Sequence, residues 1–249
     1  MTDLNISTLM RFGDAPYFVF CDHASNMTPP DLHCLGMPED MMQTHIAWDI
    51  GAGAVAEALA RKLNATYFRC EFSRLLIDPN RDLTVPDLIP AQSDRIPVPG
   101  NQELSEEEKQ QRINAYHAPY HDQLDCALED IMERHRNPFI ISVHSFTHRL
   151  MGAQQDRPWR IGLLWREDEA SAHAMMGYLR RVTGWRIGDN EPYDAREFNY
   201  SVDRHIGPRN LSHVTIEVRQ DIIADERGVE EVADHIAGGA QFIMSGTTP

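Results

Sequence analysis

Three short apolar runs in this chain each deliver an ionisable side chain at or near their end. Tyr17–Cys21 leads into Asp22-His23, Pro138–His144 ends on His144, and Val214–Val218 carries Glu217 near its end. Apolar runs of this length read as strands buried on both faces, an environment that a sheet covered by helices on each side provides. The ends of such strands are where an open α/β sheet forms its ligand crevice. If the three strands are neighbours, two imidazoles and a carboxylate meet at one rim.

The intervening segments alternate between helical and extended patterns, which argues for strand–helix units around a sheet rather than a bundle or sandwich. Ile50–Leu63 and Gly228–Phe242 carry apolar residues at helical spacing, and Glu167–Thr183 is a helix stopped by Gly184. Tyr67–Phe72 and Arg160–Trp165 return to the sheet. Ser105 with Glu108 forms a capping-box pair opening a helical region toward Arg136, which Pro119 must interrupt or restart. Pro79–Asn101 holds five of the fifteen prolines and little periodicity, so it runs over the surface, where it can rim a pocket as a lid. The expected class is α/β, a mixed sheet flanked by helices on both faces. The 249 residues fit one domain spanning 1–249, with no repeat or linker.

A formal net charge of −15 leaves no basic footprint, which excludes nucleic acid and anionic membranes as expected partners. An anionic substrate must then be drawn in by local arginines, so Arg74, Arg81 and Arg219 become candidates. Cys21, Cys34, Cys70 and Cys126 have no C-x-x-C spacing and read as reduced thiols. Met1–Gly13 lacks a leader pattern, and no stretch is long and apolar enough to span a bilayer, so a cytoplasmic location is expected.

His23 and His144 follow strands directly, where neutral imidazoles can hold a divalent metal that needs about three protein ligands and one open position. Hydrogen bonding at strand ends is the alternative for either ring alone. His117/His121 and His144/His148 are competing pairs at four-residue spacing. Ser145 beside His144 does not make a nucleophile with its base, because adjacent strand residues point to opposite faces, and no G-x-S-x-G elbow is present. Glu217 suits a general base, its alternative being a salt bridge to Arg219 on the same strand face. Arg74 and Arg81 are forks suited to a carboxylate or a developing oxyanion, or else surface charge pairs.

From about Tyr17 to Ile236 the chain resembles the N-formylglutamate amidohydrolase family. The resemblance rests on DHASN at 22–26, HIAWDIGA at 45–52, SRLLIDPNR at 73–81, YHAPYH at 116–121, VHSFT at 143–147, NEPY at 190–193 and IEVRQD at 216–221. It implies hydrolysis of an N-formyl amide to formate and a free amino acid such as glutamate, in the terminal part of histidine breakdown. It also implies a fold similar to zinc carboxypeptidases and aspartoacylases. In those relatives an Asn-Arg pair grips the substrate carboxylate, which corresponds to Asn80 and Arg81. A Glu followed one residue later by Arg is the base, corresponding to Glu217 and Arg219, and a His-Ser pair supplies a distal ligand, corresponding to His144-Ser145. Their first motif, His-x-x-Glu, departs here to His23-x-x-Asn26. The third ligand is therefore sought at Asp49, with Asp22 or Asn26 in reserve, although Asp49 can equally cap the next helix.

His205 occupies a position where the family carries a histidine that contacts substrate or assists proton transfer. Tyr193 of NEPY is a candidate pocket wall. The expected reaction uses a divalent metal, most simply zinc, on His23, Asp49 and His144. Glu217 then acts as base, Arg74 or Arg81 faces the oxyanion, and the remaining guanidiniums, Arg219 included, position a small N-acyl amino acid. A different N-acyl amino acid, a short peptide, or a binding module with a degraded metal centre are the alternatives.

Overall fold

The computed structural model describes residues 8–11 and 13–246. The strands are β1 (Thr8–Arg11), β2 (Tyr17–Cys21), β3 (Thr66–Cys70), β4 (Gln92–Ser93), β5 (Ile96–Pro97), β6 (Phe139–Phe146), β7 (Ile161–Leu164), β8 (Ile187–Asp189) and β9 (His213–Arg219). Seven of them form one mixed sheet in the order β1-β3-β2-β6-β9-β7-β8, while β4 and β5 pair separately as a small hairpin. The central strands β3, β2, β6 and β9 run parallel; β1 and the β7–β8 pair run against them. The reading of Met1–Gly13 falls largely outside the described residues. Among those described, no helix is long and apolar enough to cross a membrane.

Alternation along each strand assigns its residues to two apolar layers. Tyr17, Val19 and Cys21 of β2 pack with Ile141 and Val143 of β6 and with Val214, Ile216 and Val218 of β9. That face is covered by α1 (Ala52–Leu63), α4 (Glu169–Thr183) and α6 (Glu226–Met244). Phe18 and Phe20 point the other way, onto Phe68, Tyr120 and Leu124, where α3 (Ala118–Arg134) and α5 (Tyr200–His205) cover the sheet. The expected α/β class with helices on both faces is the observed one.

On the second face β6 and β9 change character. Ser142 lies opposite Thr215 and His144 opposite Glu217, so two neighbouring strands present polar side chains where β2 presents phenylalanines. All four are buried. A polar stripe inside a sheet layer must find partners or a ligand, and this one lies toward the carboxyl ends of the parallel strands.

The helical region after Ser105 begins with the expected capping box on α2 (Glu106–Arg112). A π turn over Ile113–His117 then leads into α3, with Pro119 in its first turn. The Pro79–Asn101 excursion is pegged to the body. Asn101 Nδ2 donates to the carbonyls of Leu75 and Pro90, and Arg112 Nη1 donates to Asn101 Oδ1 and the Leu76 carbonyl.

Candidate active site

Three carboxyl-terminal strand ends and two loops build the site. His23 follows β2, His144 lies in β6, and the 2.9 Å bond from His144 Nδ1 meets Asp49 Oδ2, on the turn before α1. His23 Nδ1 approaches the same oxygen at 3.3 Å. Ligand atoms of His23, Asp49 and His144 lie within 4.8 Å of one another, all three residues buried, and this is the one such group found among the described residues. The two rings meet edge to face with centroids 5.1 Å apart. The capping alternative for Asp49 is not taken: its main-chain carbonyl accepts from Ala52 while its carboxylate faces the histidines, and Gly51 precedes α1. Asn26 lies apart, donating to the Met42 carbonyl.

Each imidazole is held from behind. His23 Nε2 donates to Asp78 Oδ1 at 2.7 Å, and His144 Nε2 lies 3.4 Å from Asp22 Oδ2. A carboxylate on one ring nitrogen fixes the orientation and aims the other nitrogen at a shared point, the arrangement that supports metal-ligating histidines. Asp22 is held by the hydroxyls of Tyr120 and Ser201, and Asp78 by the Asn80 amide. Arg74 crosses the front, with Nη1 3.3 Å from Asp49 Oδ1 and Nη2 3.0 Å from Asp78 Oδ2.

Burial disfavours charge on every member, so the signs of the shifts report which partners win. At His23 burial and Arg74 oppose protonation, yet Asp78 and Asp49 raise its pKa; at His144 burial is outweighed by Asp22 and Asp49. Burial also pushes Asp49 and Asp78 upward, but His23 leads the charges that hold both far below the usual carboxylate range. Glu217 behaves differently. Burial drives its pKa up to about 7, with His144 opposing and Asp49 reinforcing. A buried carboxyl poised near neutrality is suited to exchanging a proton at working pH.

The donor set fits a divalent ion. Three carboxylates, Asp22, Asp49 and Asp78, surround two imidazoles and one guanidinium, and the buried Oε2 of Glu217 lacks a hydrogen-bond partner. Two nitrogens and one oxygen converging with one side open match a catalytic zinc-type set.

The cluster floors a cavity of about 110 Å³ whose walls include Arg74, Asn80, Arg81, Tyr193, Phe198 and Glu217. Asn80 Oδ1 accepts from the Ser201 amide, leaving its NH2 group as a donor. Arg81 stacks over Phe198 at 5.0 Å and donates to Asp87. Tyr193 arrives on the Asn190–Tyr193 loop, which sits directly on the sheet because Gly162 and Gly188 have no side chain: a Cβ at Gly162 would stand 2.0 Å from the Glu191 carbonyl oxygen. A larger hollow of about 530 Å³ between Glu167–Asp168 and Gly207–His213 contains none of these groups, so size alone does not mark the chemistry.

Two expected site residues lie elsewhere. His205 is turned into the layer beneath α3, its Nδ1 2.6 Å from Asp125 Oδ1 and its Nε2 2.7 Å from His121 Nδ1. The cause is α5, whose short turn buries that ring against the sheet. Arg219 points past the end of β9 and donates to Asp221 and the Arg157 carbonyl, not to the cavity. Glu217 therefore has no salt bridge with Arg219. His117 and His121 do stack, 4.4 Å apart, but in that second layer away from the His23–Asp49–His144 cluster. Sequence reasoning gave no role to Asp78, although it stands inside the IDPNR segment, and no signal pointed to Phe198, which lies in a polar loop without periodicity.

The profile of the N-formylglutamate amidohydrolase family matches residues 15–224. Among solved structures, a gene product of Agrobacterium tumefaciens is similar at 30% identity with a TM-score of 0.88, over 96% of this chain and 95% of that one. An N-formylglutamate amidohydrolase from Ralstonia eutropha is similar in fold, with a TM-score of 0.69 at 20% identity over 97% of this chain and 100% of that one. No curated protein matches the chain in sequence.

Proposed function

The chain belongs to the N-formylglutamate amidohydrolase family, and on that premise we propose that it is a metal-dependent hydrolase of a small N-acyl amino acid, N-formylglutamate first among them. The observation that carries the reading is the convergence of His23, Asp49 and His144 in a pocket that the buried Glu217 also lines. Zinc suits two imidazoles and a carboxylate. When bound, a divalent ion supplies Lewis acidity that polarises the acyl oxygen and acidifies a nearby water.

The chain's own groups do the rest. Glu217 takes a proton from the attacking water as its oxygen adds to the acyl carbon. The same carboxyl returns that proton to the departing nitrogen, so the C–N bond breaks to give an acid and a free amine. Arg74, kept charged by Asp78 and Asp49 against the pull of burial, lies beside the developing oxyanion. The Asn80 NH2 group and the Arg81 fork receive the substrate carboxylate. Asp22 and Asp78 hold the imidazoles. The cavity of about 110 Å³ favours a single acyl amino acid over a peptide. A cytoplasmic setting and a place in histidine breakdown accord with this substrate and with four unpaired thiols.

Metal analysis and steady-state kinetics test the reading together. Purified protein should carry one divalent ion per chain and lose hydrolysis of N-formylglutamate on chelation. Glu217→Gln should retain the ion while turnover falls roughly 100- to 10,000-fold. Full activity in the chelated protein would remove the metal, and full activity in the variant would remove the base. A panel of N-formyl, N-acetyl and dipeptide substrates separates this acyl group from the others.

A further inference from the structure

The net charge of −15 hides a local exception. From Arg157 to Trp165 and from Ala170 to Gly188 the chain carries five arginines and no Asp or Glu, although acids outnumber bases 38 to 23 overall. Both stretches contain the same four residue types in the same order, Trp159-Arg160-Ile161-Gly162 and Trp185-Arg186-Ile187-Gly188. The fold lays them side by side. β7 and β8 pair in parallel with Ile161 opposite Ile187 and Gly162 opposite Gly188, and the Arg160 amide donates to the Arg186 carbonyl at 3.1 Å. β8 is an edge strand of the sheet, and none of these residues lines the cavity at the histidines.

Each tryptophan carries the other segment's arginine on its ring. Arg160 lies 5.3 Å over Trp185, and Arg186 lies 6.0 Å over Trp159. The indoles are half-buried and the guanidiniums exposed. A cation resting on an aromatic face is held in orientation while its N–H edges stay available to other partners. Among the described residues the guanidiniums of Arg160 and Arg186 make no hydrogen bond or ion pair. Arg180 reaches the same corner and donates to the Ile187 carbonyl at 3.3 Å rather than to a carboxylate. The acids nearest in sequence are engaged elsewhere: Asp156 accepts from Arg149, and Asp189 from Trp165 Nε1. Three exposed cations thus stand at one corner of an acidic molecule without a carboxylate to neutralise them.

We propose that this β7–β8 corner is a docking surface for an extended acidic segment of a partner protein, whose carboxylates take the forks of Arg160 and Arg186. Charge complementarity selects the occupant. A guanidinium fork receives a carboxylate through two parallel bonds, and one already held on a ring loses little freedom in doing so. A bilayer or a nucleic-acid duplex is wider than the corner and would meet the rest of the chain, where acids are in excess. A single nucleic-acid strand needs open ring faces for its bases, and here guanidiniums lie over both indoles. None of these groups takes part in the proposed hydrolysis, so docking here and catalysis at the histidines are separable.

The test is fluorescence anisotropy of a labelled decaglutamate peptide titrated with the full chain, at an ionic strength of about 0.02 M, where exposed charges are weakly screened. Thermal melting is measured on each variant. The wild type should bind, and Arg160→Gln/Arg186→Gln should bind roughly 5- to 20-fold more weakly, the loss of two exposed charge pairs. Arg11→Gln/Lys109→Gln removes the same charge from surface ion pairs elsewhere and should change binding by less than about 2-fold. Arg160→Lys/Arg186→Lys keeps the charge without the fork and should lie between, and it supplies the answer if the Gln variant of this corner does not fold. No binding by the wild type, or equal losses in the two Gln variants, would overturn the proposal. So would tighter binding of an oligothymidylate or of phosphatidylserine vesicles that Arg160→Gln/Arg186→Gln weakens, or wild-type self-association in light scattering that it abolishes.

Discussion

Asp78 makes contacts that no spacing rule would assign it. One oxygen accepts from His23 and from the Asn80 amide, the other from Arg74, so a single side chain holds the His23 imidazole, the Asn80–Arg81 loop and the Arg74 guanidinium. Replacing Asp78 with Asn turns a charged acceptor into an amide that competes for the same ring proton. The expected result is a 10- to 100-fold weaker divalent-metal affinity, roughly, measured by competition with a chromophoric chelator; wild-type affinity would end the orienting role. His23, His144, Glu217 and Asp49 are legible in the sequence because each offers chemistry of its own at a strand end or in a motif. Asp78 stands in a motif too, after the apolar Leu75–Ile77, but it acts through His23, Asn80 and Arg74, and a residue that acts through others is not marked by its own chemistry.

Elements explain why the pocket has a second wall. β7 runs antiparallel to β9 and places Gly162 opposite Glu217, and the missing side chain there lets the Asn190–Tyr193 loop lie against the sheet. Gly162→Ala puts a methyl 2.0 Å from the Glu191 carbonyl oxygen, so the loop must lift and carry Tyr193 with it. The expected outcome is about 1–3 kcal/mol of destabilisation by denaturant melting, together with a raised KM. Unchanged values for both would show that the loop has room to spare. Strands β2, β6 and β9 and helices α1, α4 and α6 were legible within a residue or two, because burial imposes their periods. The short turn of α5, which carries His205 into the lower layer, has no period to read; the family likeness put that ring in the site, and packing put it elsewhere.

At the scale of the whole molecule, the layer between the sheet and helices α3 and α5 holds three buried histidines that take no part in the His23–Asp49–His144 cluster. Burial, with His117, His205 and Arg204 adding repulsion, drives His121 down to about 2, and burial likewise lowers His117 and His205. Below about 6.5 the unfolded chain binds protons on these rings more readily than the folded chain does, so their contribution to stability is full above that value and is lost as pH falls. Between pH 6.5 and 5 each ring kept neutral should add up to about 1.4 kcal/mol of lost stability per pH unit. Denaturant unfolding of the wild type and His121→Gln across that window should show the shallower slope in the variant; equal slopes would mean that His121 titrates normally. What the sequence determined by itself was the alternation of elements, the two-faced apolar layers and the identity of the groups at the strand ends, because those follow from side-chain period and burial along one stretch of chain. Only the tertiary structure decided that Asp49 rather than Asp22 or Asn26 meets both imidazoles, that Arg219 and His205 turn away, and that Phe198 joins the pocket wall. Those outcomes depend on the angles at which loops leave the sheet, and such angles are fixed by contacts between residues far apart in the chain.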